Sequence, residues 1–365
     1  DMQSFACTSR RLPEMSRELG ARYLLTGNLQ RAGNRIRVIV MLSDAVASRQ
    51  VWSSSYEKGI DDIFEVQRMV AEAVAVETGS RFLDIISEDL CRQPPHGLSS
   101  WSLTRKALTF WTMAYTREAS TEAIGWLEQA LAMEPDNALA HVVLGFVLNQ
   151  RVVNSFADDP VAENRRALEE VETALRYAPR DSTVMEYATL VWLNCGMRRK
   201  ALQMARRVVG ASPYNMVAWG YLACALAWGG TAAERAEAIT VLERLMEQAP
   251  NHPSMPFWNY FLAFAHTEGE DYARAREHAQ ASVDVHPGFC LGWAQLANAL
   301  GMLGEAEAAR RAIDEARSRA PNFHPVGLLM YLQAISAEVG DSVRKQTQGL
   351  FRAGLIPAEA GGPAA

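Results

Sequence analysis

His266, Glu268, Glu270 and Asp271 put a histidine and three carboxylates within six residues, the side chains from which a metal site or an acid–base pair is made. The helical pattern around them places the group at a turn between two helices, so the expectation is a solvated turn. His278 and His286 follow on the next helix and at its end, with the same expectation. Asp158-Asp159 precedes Pro160 and has the make-up of a helix start, where carboxylates commonly cap. The five cysteines, Cys7, Cys91, Cys195, Cys224 and Cys290, lie far apart with no CxxC pair. That spacing argues against a zinc site or a disulfide framework and for small buried side chains in a reducing compartment. Phosphate-loop, GxSxG, HExxH and zinc-deaminase patterns are absent. The expectation is a protein without catalytic residues, cofactor or metal.

What positions these residues is a returning proline. Pro135, Pro179, Pro213, Pro250, Pro287 and Pro321 are separated by 44, 34, 37, 37 and 34 residues, and Pro357 follows 36 later. Two helical stretches precede each proline, the period of stacked helix–turn–helix units. Before Pro321 the first helix carries Trp293, Leu296, Ala297 and Leu300, and the second Ala309, Ile313 and Ala316. The register also gives Leu144, Gly145 and Leu148, then Ala167, Val171 and Ala174, before Pro179. It gives Met185, Trp192 and Ala201 before Pro213, and Trp219, Leu222, Ala223 and Leu226 before Pro250. Leu262, Ala263 and Ala275 precede Pro287, and a looser unit with Ala123, Leu127 and Ala130 precedes Pro135. The second unit needs a ten-residue insertion, assigned to a loop at Asn154–Pro160, and the fourth needs three residues near Gly229-Gly230. Residues 326–353 fit worst, with Gln333, Lys345 and Arg352 at core positions, as a terminal cap with a polar outer face would.

Residues 1–92 read as mixed α/β. A short helix over Leu12–Leu19 precedes strands at Tyr23–Gln30, Arg35–Leu42 and Gln50–Tyr56. The middle strand becomes apolar throughout, the pattern of a strand covered on both faces. Asp62 and Glu65 have capping-box spacing for a helix running into the eighties, and Gln93–Gly97 makes a linker. Of the 365 residues 49% are hydrophobic, ample for more than one domain. The net charge is −6, which removes the global basic excess that nucleic-acid binding uses. Residues 1–60 do hold nine Lys/Arg against five Asp/Glu, with Arg31, Arg35, Arg37 and Arg49 on the expected sheet as a solvated strand face. No apolar run reaches the roughly 18–20 residues that span a bilayer.

Over roughly 98–357 the chain resembles the tetratricopeptide-repeat family. Glu18–Gly27, Arg31–Val38, Leu42–Ala45, Val51–Ser53, Tyr56-Glu57 and Asp61–Gln67 are similar to the second half of a TolB-like domain, and Leu350–Pro357 to the end of proteins that join the two. The resemblance implies an effector upstream, either a class III adenylate/guanylate cyclase or a winged-helix DNA-binding domain, sometimes with a membrane span. The expected architecture is therefore mainly α. It comprises an incomplete TolB-like α/β domain at 1–92, a solenoid of about six repeats plus a cap at 98–357, and a disordered tail at 358–365. A cytoplasmic location is expected, or a periplasmic one if a membrane segment precedes Asp1.

In this family, positions 2, 5, 9 and 12 of each first helix face the concave groove. Here they are Thr183, Glu186, Leu190 and Leu193; Val217, Gly220, Cys224 and Ala227; Phe257, Tyr260, Phe264 and Thr267; and Leu291, Ala294, Asn298 and Gly301. None is Lys or Arg, so capture of a peptide's terminal carboxylate is not expected. An apolar helix or extended segment suits the lining better. Phe257, Tyr260 and Phe264 are either its anchors or packing between repeats. The functional expectation is a non-catalytic regulatory and protein-interaction region of a bacterial signalling protein, with self-association possible and no nucleic acid bound by this chain. The alternative is a stand-alone scaffold.

Overall fold

The computed structural model describes residues 12–19, 23–32, 35–45, 49–59, 93–213, 215–250, 252–321, 323–325 and 340–356. The chain divides into two compact units, residues 1–85 and 86–365. The helix expected after Asp62, Gln333, Cys7, Cys91 and the tail from 358 fall outside the described residues.

In the first unit α1 (Leu12–Leu19) precedes an antiparallel sheet ordered β1 (Tyr23–Ala32), β2 (Arg35–Asp44), β3 (Arg49–Gly59). β1 and β2 pair from Tyr23↔Asp44 to Ala32↔Arg35, and the β2–β3 register shifts at Leu42/Ser43. The strand in the middle is the β-branched one, as a two-sided pleated environment favours. Ile36, Val40 and Leu42 are buried on one face, whereas Ile39 and Met41 on the other are half-buried. Coverage of that second face is partial rather than complete. Arg37 is exposed.

Among its described residues the second unit has six helix pairs: α2 (Ser100–Ala114) with α3 (Arg117–Met133), α4 (Ala138–Val153) with α5 (Pro160–Tyr177), α6 (Ser182–Asn194) with α7 (Arg198–Ala211), α8 (Met216–Ala227) with α9 (Ala232–Gln248), α10 (Met255–Glu268) with α11 (Tyr272–Val285), and α12 (Cys290–Met302) with α13 (Ala306–Arg319). A further helix, α14 (Gly340–Arg352), packs on α12 and α10. No helix among the described residues is long and apolar enough to cross a membrane.

The returning proline has one structural job. Each of the six occupies the second position of a four-residue turn closed by a backbone bond from the fourth residue to the first: Asn137 to Glu134 (3.1 Å), Asp181 to Ala178 (3.3 Å), Asn215 to Ser212 (3.0 Å), His252 to Ala249 (3.1 Å), Phe289 to His286 (3.0 Å) and Phe323 to Ala320 (2.8 Å). Proline's fixed φ suits that position, and its missing N–H stops the preceding helix. Where the fourth residue is Asn or Asp it also caps the next helix; Asn137, Asp181 and Asn215 accept from backbone N–H groups of α4, α6 and α8. Six residues past the proline, the side chains of Trp219 and Trp293 donate to the carbonyls of Pro213 and Pro287, both at 2.8 Å. His141 lies 2.9 Å from that of Pro135.

The extra residues are absorbed mainly by helices rather than by loops. α4 and α5 run 16 and 18 residues against 13 and 14 for α6 and α7, and the connection is 154–159. The three additional residues of the fourth unit extend α9, which has 17. Asp159 caps α5, accepting from Val161 (3.1 Å) and Ala162 (3.0 Å), with Pro160 at the first helical position. Arg151 organises the insertion. Its buried guanidinium donates to Glu163 (2.8 and 3.2 Å), Ser120 (2.9 Å), Thr121 (3.0 Å) and the Phe156 carbonyl (3.3 Å). Asp158 pairs with the exposed Arg117.

Removing Arg151 leaves Glu163 without its partner in a poorly hydrated site. Arg151→Ala is expected to destabilise the unit by about 3–5 kcal/mol, read as a lower midpoint in urea followed by far-UV circular dichroism. A change within about 0.5 kcal/mol would contradict the assigned role.

Candidate functional site: the inner face of the first helices

Successive first helices lie against one another, α4 on α6, α6 on α8, α8 on α10 and α10 on α12, and together make the inner face. In each of the last four, the start of the helix is more exposed than its end. Thr183, Val217, Phe257 and Leu291 are half-buried, whereas Leu193, Ala227, Thr267 and Gly301 are buried. Between them Leu190 and Tyr260 are half-buried, and Glu186, Gly220, Cys224, Phe264, Ala294 and Asn298 are buried. Free surface is therefore concentrated at the starts of these helices.

The central aromatics form a continuous cluster. Phe257 packs on Phe289 (ring centroids 5.2 Å), Tyr260 on Phe289 (5.0 Å), and Phe264 stacks on Trp228 (4.9 Å). Tyr115, at the end of α2, reaches the same cluster from the first repeat, with its ring 5.2 Å from His286, 6.0 Å from Phe289 and 6.2 Å from Phe257. Its backbone is left-handed (φ 50°, ψ 44°), which costs a side-chain-bearing residue about 1–2 kcal/mol. The Tyr115 hydroxyl donates to Gln150 at 3.1 Å. The first repeat thus meets the fifth and sixth across the inner face, a contact that repeat spacing does not encode. Tyr187 and Tyr221 also line this face at a shared sixth helix position, one repeat apart. That recurrence is visible in the sequence, although it lies off the four positions taken to face the groove.

Burial sets the electrostatics. The Glu186 carboxyl is pushed up to about 7 by burial, partly offset by the Asn215 amide, which donates to it at 2.7 Å. Desolvation raises the Cys195 thiol to about 12 and Cys290 to about 11, and raises Cys224 further still. Such thiols are poor nucleophiles. The tyrosines Tyr115, Tyr187, Tyr221 and Tyr260 are likewise pushed up, chiefly by burial. Burial lowers His266, His278 and His286. The face is close to neutral and apolar, suited to association rather than proton or group transfer.

The acidic turn at the end of α10 departs from the expected solvated state. His266 and Glu268 are buried, whereas Glu270 and Asp271 are exposed. His266 stacks in parallel on His278 with centroids 5.5 Å apart, and His278 Nδ1 lies 3.0 Å from Asn259 Oδ1. The reason for the burial is α14. Its Gln346 donates to Glu268 Oε1 (2.9 Å), its Lys345 ammonium to the Glu268 carbonyl (2.9 Å), and its Ser342 hydroxyl to the Glu268 carboxylate. Ser342, Gln346 and Thr347 are buried, so these polar residues turn inward rather than to an outer face. A cavity of about 30 Å³ remains among Trp228, Tyr260, Phe264, Leu291, Gln295 and Gln346, room for about one water.

The paired helices, their proline-terminated period near 34–37 residues and the inner face of stacked first helices define a tetratricopeptide-repeat α-solenoid. No protein-family model matches the chain. It is 29% identical over 147 residues (39% of this chain, 24% of the other) to "Putative adenylate cyclase 3" of Rhizobium meliloti (strain 1021). It is 25% identical over 130 residues (36% of this chain, 24% of the other) to "Interferon-induced protein with tetratricopeptide repeats 2" of Cricetulus griseus. The chain spans about a quarter of the length of these curated relatives. Among solved structures it is similar to the anaphase-promoting-complex hetero-tetramer Cut9-Hcn1 (TM-score 0.47, 13% identity, 71% of this chain and 47% of that one). It is also similar to TTC0263, a thermophilic TPR protein of Thermus thermophilus (TM-score 0.41, 15% identity, 52% and 98%).

Glu186 makes the face pH-sensitive. The folded state keeps this proton up to about pH 7, whereas the unfolded chain releases it near the ordinary carboxyl value of 4.5. Its contribution is full below 4.5 and is lost as pH rises through 7. Glu186→Gln retains an acceptor for Asn215, so it is expected to stabilise the fold at about pH 8 by at most about 3 kcal/mol and by nearly nothing at about pH 4.5. Equal melting temperatures of the two proteins at the higher pH would contradict this assignment.

Proposed function

We propose that the chain is the non-catalytic, protein-binding region of a bacterial signalling protein, and that it binds a partner on the inner face at the starts of α6, α8, α10 and α12. The observation that carries this reading is that face itself. It is apolar and aromatic, near neutral, half-exposed at Leu190, Val217, Phe257, Tyr260 and Leu291, and without an activated nucleophile. Aromatic side chains in a concavity supply much of an interface's free energy at little entropic cost. The partner class that fits is an apolar helix or extended segment. The signalling context is supported by the partial likeness to the putative adenylate cyclase. The similarity of residues 18–67 to a TolB-like domain points the same way.

A photoreactive phenylalanine analogue at Tyr260 or Leu291, introduced in source cells, is expected to yield adducts with another protein. The same group at Arg206, exposed on α7, is expected to yield none. Adducts from position 206 alone would overturn the choice of face. Cyclic-nucleotide formation by the purified chain supplied with ATP and Mn²⁺ would overturn the non-catalytic reading.

A further inference from the structure

The contact between α14 and the inner face has the features of a bound ligand. α14 lies across two first helices, α10 and α12. Its crossing with α12 is glycine on glycine. A Cβ on Gly349 would collide with the Asn298 carbonyl oxygen, and one on Gly301 with the Gly349 carbonyl oxygen. Contacts below 3.0 Å are not tolerated by real side chains, so the seat accepts a helix only where that helix presents glycine.

Asn298 reads the backbone at that point. Its Oδ1 accepts from the Gly349 N–H (2.8 Å), and its Nδ2 donates to the Lys345 carbonyl (3.1 Å). These are the two backbone groups that an α-helix would otherwise pair with each other across four residues. One turn earlier, Gln346 donates to Glu268 and to the Phe264 carbonyl (3.4 Å). Lys345 places its ammonium at the last carbonyl of α10 and 3.2 Å from Glu270, where a helix C-terminus favours a cation. The recognised pattern is therefore Ser342, Lys345, Gln346 and Gly349 on one helix.

We propose that the inner surface of α10 and α12 is a docking site for a glycine-bearing helix, that α14 is its resident ligand, and that residues 340–352 of a second copy exchange with it. The second copy is the occupant argued for because every copy carries both this seat and the pattern that fills it. The 14 residues between Pro325 and Gly340 can reach at most about 50 Å when extended. A tethered helix competes at an effective concentration on the order of millimolar. Exchange is therefore suppressed in the native chain at micromolar concentration and emerges when the internal contact is broken. This exchange rests on the reading of the inner face as a binding surface and names one occupant of its C-terminal part.

Two complementary full-length variants test it. Gly349→Leu spoils the helix but leaves the seat, and leucine favours the helical state over glycine by roughly 0.5–1 kcal/mol. Gly301→Leu spoils the seat but leaves the helix. By sedimentation velocity each variant alone is expected to be a monomer, and an equimolar mixture is expected to form a 1:1 heterodimer. A mixture that stays monomeric, with both circular dichroism spectra native, would overturn the proposal.

Should Gly301→Leu fail to fold, a fluorescent peptide of residues 338–356 supplies the second test. It is expected to bind the Gly349→Leu chain at least tenfold more tightly than the native chain. The same peptide carrying Gly349→Leu is expected not to bind. Equal binding of the two peptides, or no binding of either, overturns the proposal. Photoadducts at Tyr260 or Leu291 that join this chain to a different polypeptide report a foreign partner, whereas adducts at twice the chain's mass report a second copy, so either idea can fail while the other stands.

Discussion

The structure depends on how closely the two helices of each pair approach, and alanine sets that distance. Ala123, Ala167, Ala201, Ala238, Ala275 and Ala309 recur at one position of the second helices, and every one is fully buried. Four and seven residues on come further buried residues, from Leu127 and Ala130 in the first pair to Ile313 and Ala316 in the last. A methyl group at the closest point lets the helices pack to the density of a protein interior, and a larger one forces backbone shifts. Once the pairs are close, the first helices must stack on one another, and their row becomes the inner face.

In a solenoid each unit ordinarily touches only its neighbours. Several contacts among the described residues break that rule, one being the His324 N–H donating to the Ser155 hydroxyl (3.5 Å), and two of them shape the inner face. Tyr115 carries the first repeat to the fifth and sixth through the cluster with His286, Phe289 and Phe257. α14 returns to α10 and α12. Both act on the inner face, one near its middle and one at its C-terminal end. Both narrow it to the half-exposed starts of the first helices. The strained backbone of Tyr115 is consistent with a residue held in place by its ring contacts rather than by local preference.

The legible part of the fold is the local part. The prolines mark turns because they act within four residues. The alanine spacing is readable because it is internal to one helix, and Trp219 and Trp293 bond to prolines only six residues away. The insertion reads as a loop, because a count of residues cannot say that α4 and α5 lengthen to absorb it. The largest departure lies at His266 and Glu268. Their local sequence is that of a turn, but the groups that bury them sit on α14, with Ser342 74 residues from Glu268. Likewise, nothing near Tyr115 announces His286 or Phe289. Contacts at such separations leave no periodic trace, and the inner face is where they accumulate.

The C-terminal end of the inner face is filled by a helix of the same chain. The most direct measurement is amide hydrogen exchange along the native chain. Amides within 343–352, including that of Gly349 bonded to Asn298, are predicted to exchange slowly and together with those of α12. Exchange of that segment at the rate of an unstructured peptide, with α12 still protected, would contradict a filled seat.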